Sequence, residues 1–303
     1  MSDTVDRPAL GWLPDYPSIR DYTPATDTVS TKQKALGQTS PKAMLAKAGA
    51  AGVSKKLAAK ADLRAWCSPI ENQGSLGSCT ANAGVGMVEY FERRAFGKHI
   101  DASRLFLYKA TRNLLHLTGD TGAFLRSTME ALTLFGVPPE EYWPYNVATF
   151  DQDPTAFCYA FAGNYQAITY YRLDPSGTAK PDLLARIKTN IAAGLPSMFG
   201  FTVYQSYSQA GSNGGKLPYP SSSEKVVGGH AVMAVGYDDA MVIKNTNQGG
   251  PQSTGALLIR NSWGTGWGDA GYGWLPYQYI LAGLATDWWS IIKVEWVDSG
   301  QFG

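Results

Sequence analysis

The sequence predicts an α+β chain of two lobes, and three observations carry that prediction. Helical periodicity dominates the stretch after Asp62, and apolar strands broken by Gly-rich turns dominate the second half. A content of 44% apolar against 17% charged residues in a chain of 303 supplies a sizeable core. The charges nearly cancel, 26 basic against 25 acidic for a net +1, so no bulk field recruits nucleic acid or an anionic membrane. No apolar run approaches the ~20 residues of a membrane span. The first residues lack a basic start followed by an apolar core, which makes a cytoplasmic location the default and leaves only a non-standard route for export. Nothing in the sequence calls for a metal or a cofactor.

From the N-terminus, residues 1–30 carry Pro8, Pro14, Pro17 and Pro24 among aromatics, a composition that suits an extended, adhering segment. Residues 31–61 are rich in Ala and Lys and read as a linker or short surface helices rather than core. We therefore take 1–61 as an N-terminal extension and 62–303 as the globular unit, its helical lobe over about 62–160 and its β-rich lobe over about 161–303. In "CTANAGVGMVEYFERRAFG", Ala81, Val85, Val88, Phe91 and Ala95 share one helical face, Ser78 is placed as N-cap and Gly97 as stop. Further helical patterns cover Ser103–Leu115 and Leu125–Phe135. In the second half, "HAVMAVGYD", "MVIKN" and "ALLIRNSWG" read as separate strands.

Three cysteines, Cys67, Cys79 and Cys158, cannot all pair within the chain, so at least one thiol is free. A thiol that acts as a nucleophile needs a helix N-terminus and a basic partner to become thiolate. Cys79 has the first, in the opening turn of its predicted helix. Of three histidines, His99 sits in a polar helix-exit loop where exposure is expected, and His116 ends a helical pattern beside "TGD". His230 opens an apolar strand after Gly228 and Gly229. An amide oxygen can orient an imidazole, and Asn261 in "IRNSWGTGWGDAGYG", with Trp263 as a cover against water, is the candidate. Gln73 precedes Cys79 by six positions, and its amide with the Cys79 N–H could face a developing oxyanion. Each residue alone also fits a plain structural role.

Together these stretches resemble the papain-like cysteine peptidase family. "DLRAWCSPIENQGSLGSC" is similar to the family's run into its active-site helix, "GGHAVMAVGYDD" to its histidine strand, and "LLIRNSWGTGWGDAGYGWLP" to its asparagine–tryptophan motif, in family order. The resemblance implies Cys79 as nucleophile, His230 as acid/base, Asn261 as orienting residue, Gln73 in the oxyanion hole and Trp263 over the histidine–asparagine contact. It also implies a helical lobe and a β-barrel-like lobe with an extended polypeptide substrate between them. Gly119, Asp120, Thr121 and Gly122 fall where the family places a substrate-backbone wall, and Gly229 and Trp263 complete the binding candidates. Leu76 and Thr80 stand where members commonly have a disulfide cysteine and an aromatic. "LGSCTANA" with a leading "GWLPDYPSIRDYTP" resembles a bacterial-type branch. The expected activity is peptide hydrolysis through a thioester acyl-enzyme. Transfer of the acyl group to an amine (transpeptidation), deamidation, or a silent papain-fold binding protein are the alternatives. Residues 10–25, with Trp12, Tyr16 and Tyr22, are expected to lie against the lobes near the cleft, as a zymogen-like segment.

Overall fold

The computed structural model describes residues 9–53, 56–163 and 168–303, so Pro8 lies outside the described residues. In chain order the elements begin with β1 (Trp12–Leu13), α1 (Thr31–Ala35), α2 (Pro41–Lys47) and β2 (Lys60–Asp62). The helical part follows: α3 (Cys79–Phe96), α4 (Arg104–Leu114), β3 (Ala123–Phe124), α5 (Leu125–Phe135) and α6 (Ala156–Ala162). The sheet part holds β4 (Thr169–Arg172), α7 (Lys180–Ala192), β5 (Ser197–Tyr204), β6 (Val226–Lys244), β7 (Gln252–Arg260), β8 (Tyr272–Pro276), α8 (Tyr277–Leu281), β9 (Ala285–Ile292) and α9 (Val294–Asp298).

Helix α3 is the axis of the molecule. Gly97 ends it in the left-handed region at φ 72°, where its N–H closes on the Arg93 carbonyl, a conformation in which a β-carbon would cost energy. The sequence pattern marks one apolar face, yet every residue from Cys79 to Phe91 is buried. The reason is position: α3 packs against α4 and α5 on one side and against β5, β6 and β9 on the other, so both faces meet protein. Ser78 does stand at the N-cap position, but its hydroxyl does not cap. It contacts the Tyr145 hydroxyl at 2.6 Å and accepts from the Asn82 amide at 3.1 Å.

The sheet runs β4-β9-β5-β6-β7-β8, with β2 on a further stretch of β6, and its pairings are antiparallel. It does not close, because β4 and β8 are the ends of the order. The second part is therefore an open, bent sheet and not the barrel-like lobe expected. "HAVMAVGYD" and "MVIKN" are one long strand, β6, bent by register shifts at Ala234/Gly236 and Asp238/Val242. Phe199 of β5 and Trp288 of β9 stack at 3.9 Å within the core, and burying each such ring contributes roughly 1.5–3 kcal/mol.

Two smaller expectations change. The 31–61 stretch is not merely surface linker: Ser40 caps α2, Pro41 starts it, and Met44, Leu45, Ala48 and Ala50 are buried in the core. The contact of α2 is with α9, which supplies the apolar surface that the few hydrophobes of this stretch need. His99 is half-buried rather than exposed. Among the described residues, no helix is long and apolar enough to cross a membrane.

Candidate active site

Cys79 opens α3, where the helix dipole favours a thiolate. His230 lies in β6 opposite Phe201 of β5. β7 runs antiparallel to β6 with Arg260 opposite Met233, so the next residue, Asn261, comes level with the His230 end of the strand. His230 Nε2 and Asn261 Oδ1 are 2.8 Å apart. The Ser262 N–H also donates to Asn261 Oδ1 at 2.8 Å, which identifies that atom as the amide oxygen. An oxygen there can only accept, so Nε2 of the neutral ring carries the proton and Nδ1 is the basic nitrogen. Nδ1 is buried without a hydrogen-bond partner. Trp263 stacks on the imidazole at 4.5 Å and 25°, shielding the His230–Asn261 contact.

Gln73 is tied to the same assembly from three sides. Its backbone N–H donates to Ser262 O at 2.9 Å, and Ser262 Oγ donates to Gln73 Oε1 at 2.5 Å. The Tyr145 hydroxyl donates to the Gln73 carbonyl at 2.9 Å, so the loop before the cysteine is clamped by the residue that ends "GVPPEEYWPY". The Gln73 amide donates to Leu76 O at 2.8 Å and to Ala9 O at 3.1 Å.

The electrostatics are those of a closed site. Cys79 and His230 are both fully buried. Burial pushes the Cys79 thiol up to about 11, against the opposing pull of the N–H groups of Ala231, Gly11, Thr80 and Cys79 itself. Burial likewise pulls His230 down to about 4, with Asn261 opposing. In this state the two groups face neutral pH as thiol and imidazole.

The chain's own N-terminal residues lie next to these groups, the Gly11 N–H being one of the partners of the Cys79 thiol. The Gly11 N–H donates to Gly229 O at 3.2 Å, and the Ala123 N–H donates to Gly11 O at 2.8 Å. Trp12 and Leu13 pair in parallel with Ala123 and Phe124. Farther along, Arg126 holds the Asp15 carboxylate at 2.6 Å, the Tyr16 carbonyl at 2.6 Å, and Asp21. Arg172 donates from its backbone to Tyr22 O at 2.6 Å and from its side chain to Asp15 O at 3.1 Å. Tyr16 itself points outward, 89% exposed, while Tyr22 packs on the core.

The four residues of the expected wall part company. Gly122 lies against Gly11, and its N–H donates to the Tyr108 hydroxyl. The Asp120 carboxylate accepts from Gly77 N–H at 2.9 Å and from the Tyr108 hydroxyl at 2.5 Å, bracing the loop ahead of Cys79. Gly119 turns away, with its N–H on Asp151 and its carbonyl on Arg112. Thr121 closes the turn onto the Gly119 and Gly122 carbonyls. Sequence reasoning missed Ser262, Tyr145 and Asp287. Asp287 is a fully buried acid in the apolar strand "ATDWWSII", and that incongruity is the signal that could have found it. Cys67 and Cys158 are buried free thiols that donate to the Leu63 and Tyr142 carbonyls.

Known proteins resemble this chain in sequence and fold. The family model described as "Papain family cysteine protease" matches residues 57–288. A peptidase C1-like protein of Acanthamoeba polyphaga mimivirus is 33% identical over 228 residues, covering 74% of this chain and 69% of its own. Cathepsin K of Gallus gallus is 30% identical over 216 residues, but the match spans only 55% of that longer protein. The crystal structure of xylellain, a cysteine protease from Xylella fastidiosa, superposes with a TM-score of 0.69 at 31% identity, covering 95% of this chain and 97% of that one. With the family model spanning residues 57–288, the chain belongs to the papain family of cysteine proteases.

Proposed function

We propose that Cys79 is the nucleophile of a cysteine endopeptidase, that His230 is its acid/base, and that residues 9–24 hold the enzyme closed. The observation that carries the reading is the His230–Asn261 contact under Trp263, which leaves a buried Nδ1 without a partner, while the N–H of the next residue, Ala231, reaches the Cys79 thiol. Nδ1 takes the Cys79 proton, and the resulting thiolate attacks the substrate carbonyl carbon. The carbonyl electrons move to oxygen, where the Gln73 amide and the Cys79 N–H stabilise them. Collapse of this intermediate forms a thioester as the imidazolium protonates the departing amine. His230 then removes a proton from water, which attacks the thioester and releases the acid. Asn261 keeps the ring oriented through both halves.

The N-terminal extension explains why the resting pair is neutral. The Ala9 carbonyl sits on the Gln73 amide that an oxyanion would use, and Gly11 lies over the cysteine. We read 1–61 as a zymogen-like extension on a catalytic unit of 62–303, in a bacterial-type branch that the likeness to xylellain supports. Once the segment leaves, water and the helix dipole lower the thiol and the pair charges.

The test is labelling with iodoacetamide followed by peptide mapping. The expected result is slow modification of Cys79 in the full chain, acceleration when a denaturant-free protease nick frees the segment, and loss of that acceleration in His230→Ala. Equal slow labelling of Cys67, Cys79 and Cys158 under every condition overturns the nucleophile assignment.

A further inference from the structure

The peptide unit between Leu76 and Gly77, just ahead of Cys79, is held at both of its ends. Its carbonyl accepts from the Gln73 amide at 2.8 Å. Its N–H donates to the Asp120 carboxylate, at 2.9 Å to Oδ1 and 3.1 Å to Oδ2. A carboxylate on the N–H polarises the unit and makes the carbonyl at the far end a better acceptor. Asp120 is steadied in turn by the buried Tyr108, whose hydroxyl donates to Oδ1 at 2.5 Å and accepts from the Gly122 N–H at 3.1 Å. Burial and the facing carboxylate push the Tyr108 phenol well above its usual range, so the hydroxyl stays protonated and that bond keeps one direction. Little else stiffens the loop. Cys67, Cys79 and Cys158 are all free thiols, so no disulfide ties it down, and glycine at 77 leaves the backbone its full rotational freedom. A β-carbon there would stand 3.1 Å from the Leu10 carbonyl and 3.2 Å from Asp120 Oδ1, a tight fit for any larger residue.

We propose that Asp120 is a positioning residue for the peptidase reaction: through the Leu76–Gly77 peptide unit it keeps the Gln73 amide aimed at the developing oxyanion. The inference rests on the reading of Gln73 as an oxyanion donor and names the residue that orients it. An amide plane needs two anchors, and Gln73 has Ser262 on Oε1 and the Leu76 carbonyl on one Nε2 hydrogen. The second Nε2 hydrogen is the one that faces the Ala9 carbonyl, where the oxyanion would form. Without Asp120, water can satisfy the Gly77 N–H but does not fix its direction. The Leu76 carbonyl then drifts, and the Gln73 amide pivots about its remaining anchor.

Asp120 is itself exposed, so replacing it opens no cavity in the core. Each variant is made in the full chain and read in two ways. Hydrolysis of a fluorogenic peptide amide builds an oxyanion, whereas alkylation of Cys79 by iodoacetamide displaces iodide from a CH2 group and builds none. Opening of the segment and formation of the thiolate enter both rates, so the ratio of kcat/KM to the alkylation rate isolates the oxyanion donors. Asp120→Ala is expected to lower that ratio about tenfold through kcat, a fraction of what losing a donor outright costs. Asp120→Asn, which offers an oxygen to Gly77 and an N–H to the Tyr108 oxygen, recovers most of the loss. In a Gln73→Ala background Asp120→Ala changes the ratio by less than about twofold, because the two act as one unit. Hydrolysis and alkylation falling together, a loss carried by KM, or an undiminished loss in the Gln73→Ala background overturns the positioning role. Where Asp120→Ala fails to fold, Tyr108→Phe decides: it is expected to lower the ratio about threefold, and an unchanged ratio overturns the proposal. A Gln73→Ala variant that keeps the full ratio overturns the oxyanion reading itself, and absence of Cys79 alkylation overturns the nucleophile.

Discussion

Gln73 does two things at once: its Oε1 anchors it to Ser262, and its Nε2 faces the position held by the Ala9 carbonyl. Removing one donor of this kind costs on the order of 10²–10³ in kcat, about 3–4 kcal/mol of transition-state stabilisation. Gln73→Ala, assayed on protein freed of its segment, is expected to lose kcat by that factor with KM nearly unchanged. A loss confined to KM would mean that Gln73 only shapes the substrate site. The structure brings Gln73, His230, Asn261 and Trp263 together through Ser262 and the His230–Asn261 contact, although each of them alone in the sequence also fitted a plain structural role and only the family resemblance grouped them. Asp287 was not legible, since two of its partners, Arg172 and Trp12, come from distant parts of the chain and only Trp289 is local to its strand. Only the buried acid among apolar neighbours hinted at it.

Among elements, α3, α4 and α5 followed from periodicity, and Leu125–Phe135 is realised with the bounds expected, whereas α6 to α9, with the thirteen-residue α7 among them, were not read from the sequence. Strand β6 was misdivided because its bends come from register shifts against β7, which involve a partner strand that no local pattern encodes. The same holds for α2, whose burial depends on α9. The N-terminal segment illustrates how one element is held by another. Its stretch beyond the cleft depends on Arg126 of α5, which contacts Asp15, Tyr16 O and Asp21. The Arg126 side chain is only 16% exposed, so these bonds are less screened than surface pairs. Losing them removes roughly 1–2 kcal/mol from docking, a factor of about 5–30 in the open population. Arg126→Ala in the full chain is expected to raise peptide hydrolysis by that factor, with Cys79→Ala in the same background as the zero. An unchanged rate would show that Arg126 braces the fold without restraining the segment.

At the scale of the molecule, four buried groups with large shifts dominate how stability responds to pH, and their signs must be separated, with Asp174, also raised by burial, acting on the side of the raised carboxyls. Burial raises Glu89 to about 7 and Asp287 to about 6. Each binds its proton more tightly folded than unfolded, so its contribution is complete below the ordinary carboxylate range near 4 and is lost as pH rises through those values. Cys79 behaves alike at higher pH, its contribution being lost from about 8.5 toward 11. His230, lowered to about 4, acts oppositely: its contribution is complete above about 6.5 and is lost as pH falls toward 4. Between about pH 4.5 and 6 two carboxyls oppose one imidazole, and from 6 to 7 Glu89 still favours the acid side. The surplus is near one proton, worth on the order of 1.4 kcal/mol per pH unit where it applies. The closed protein is therefore expected to melt a few degrees higher at pH 5 than at pH 8. Cys79→Ala is the form to use, because on the proposed mechanism it does not digest itself, and it leaves Glu89, Asp287 and His230 in place. Glu89→Gln in that background should reduce the difference, since the amide does not titrate while the Ser68 hydroxyl and the Ala102 N–H keep an oxygen to bond. A melting temperature that falls steadily from pH 8 to pH 5 would instead place His230 in command.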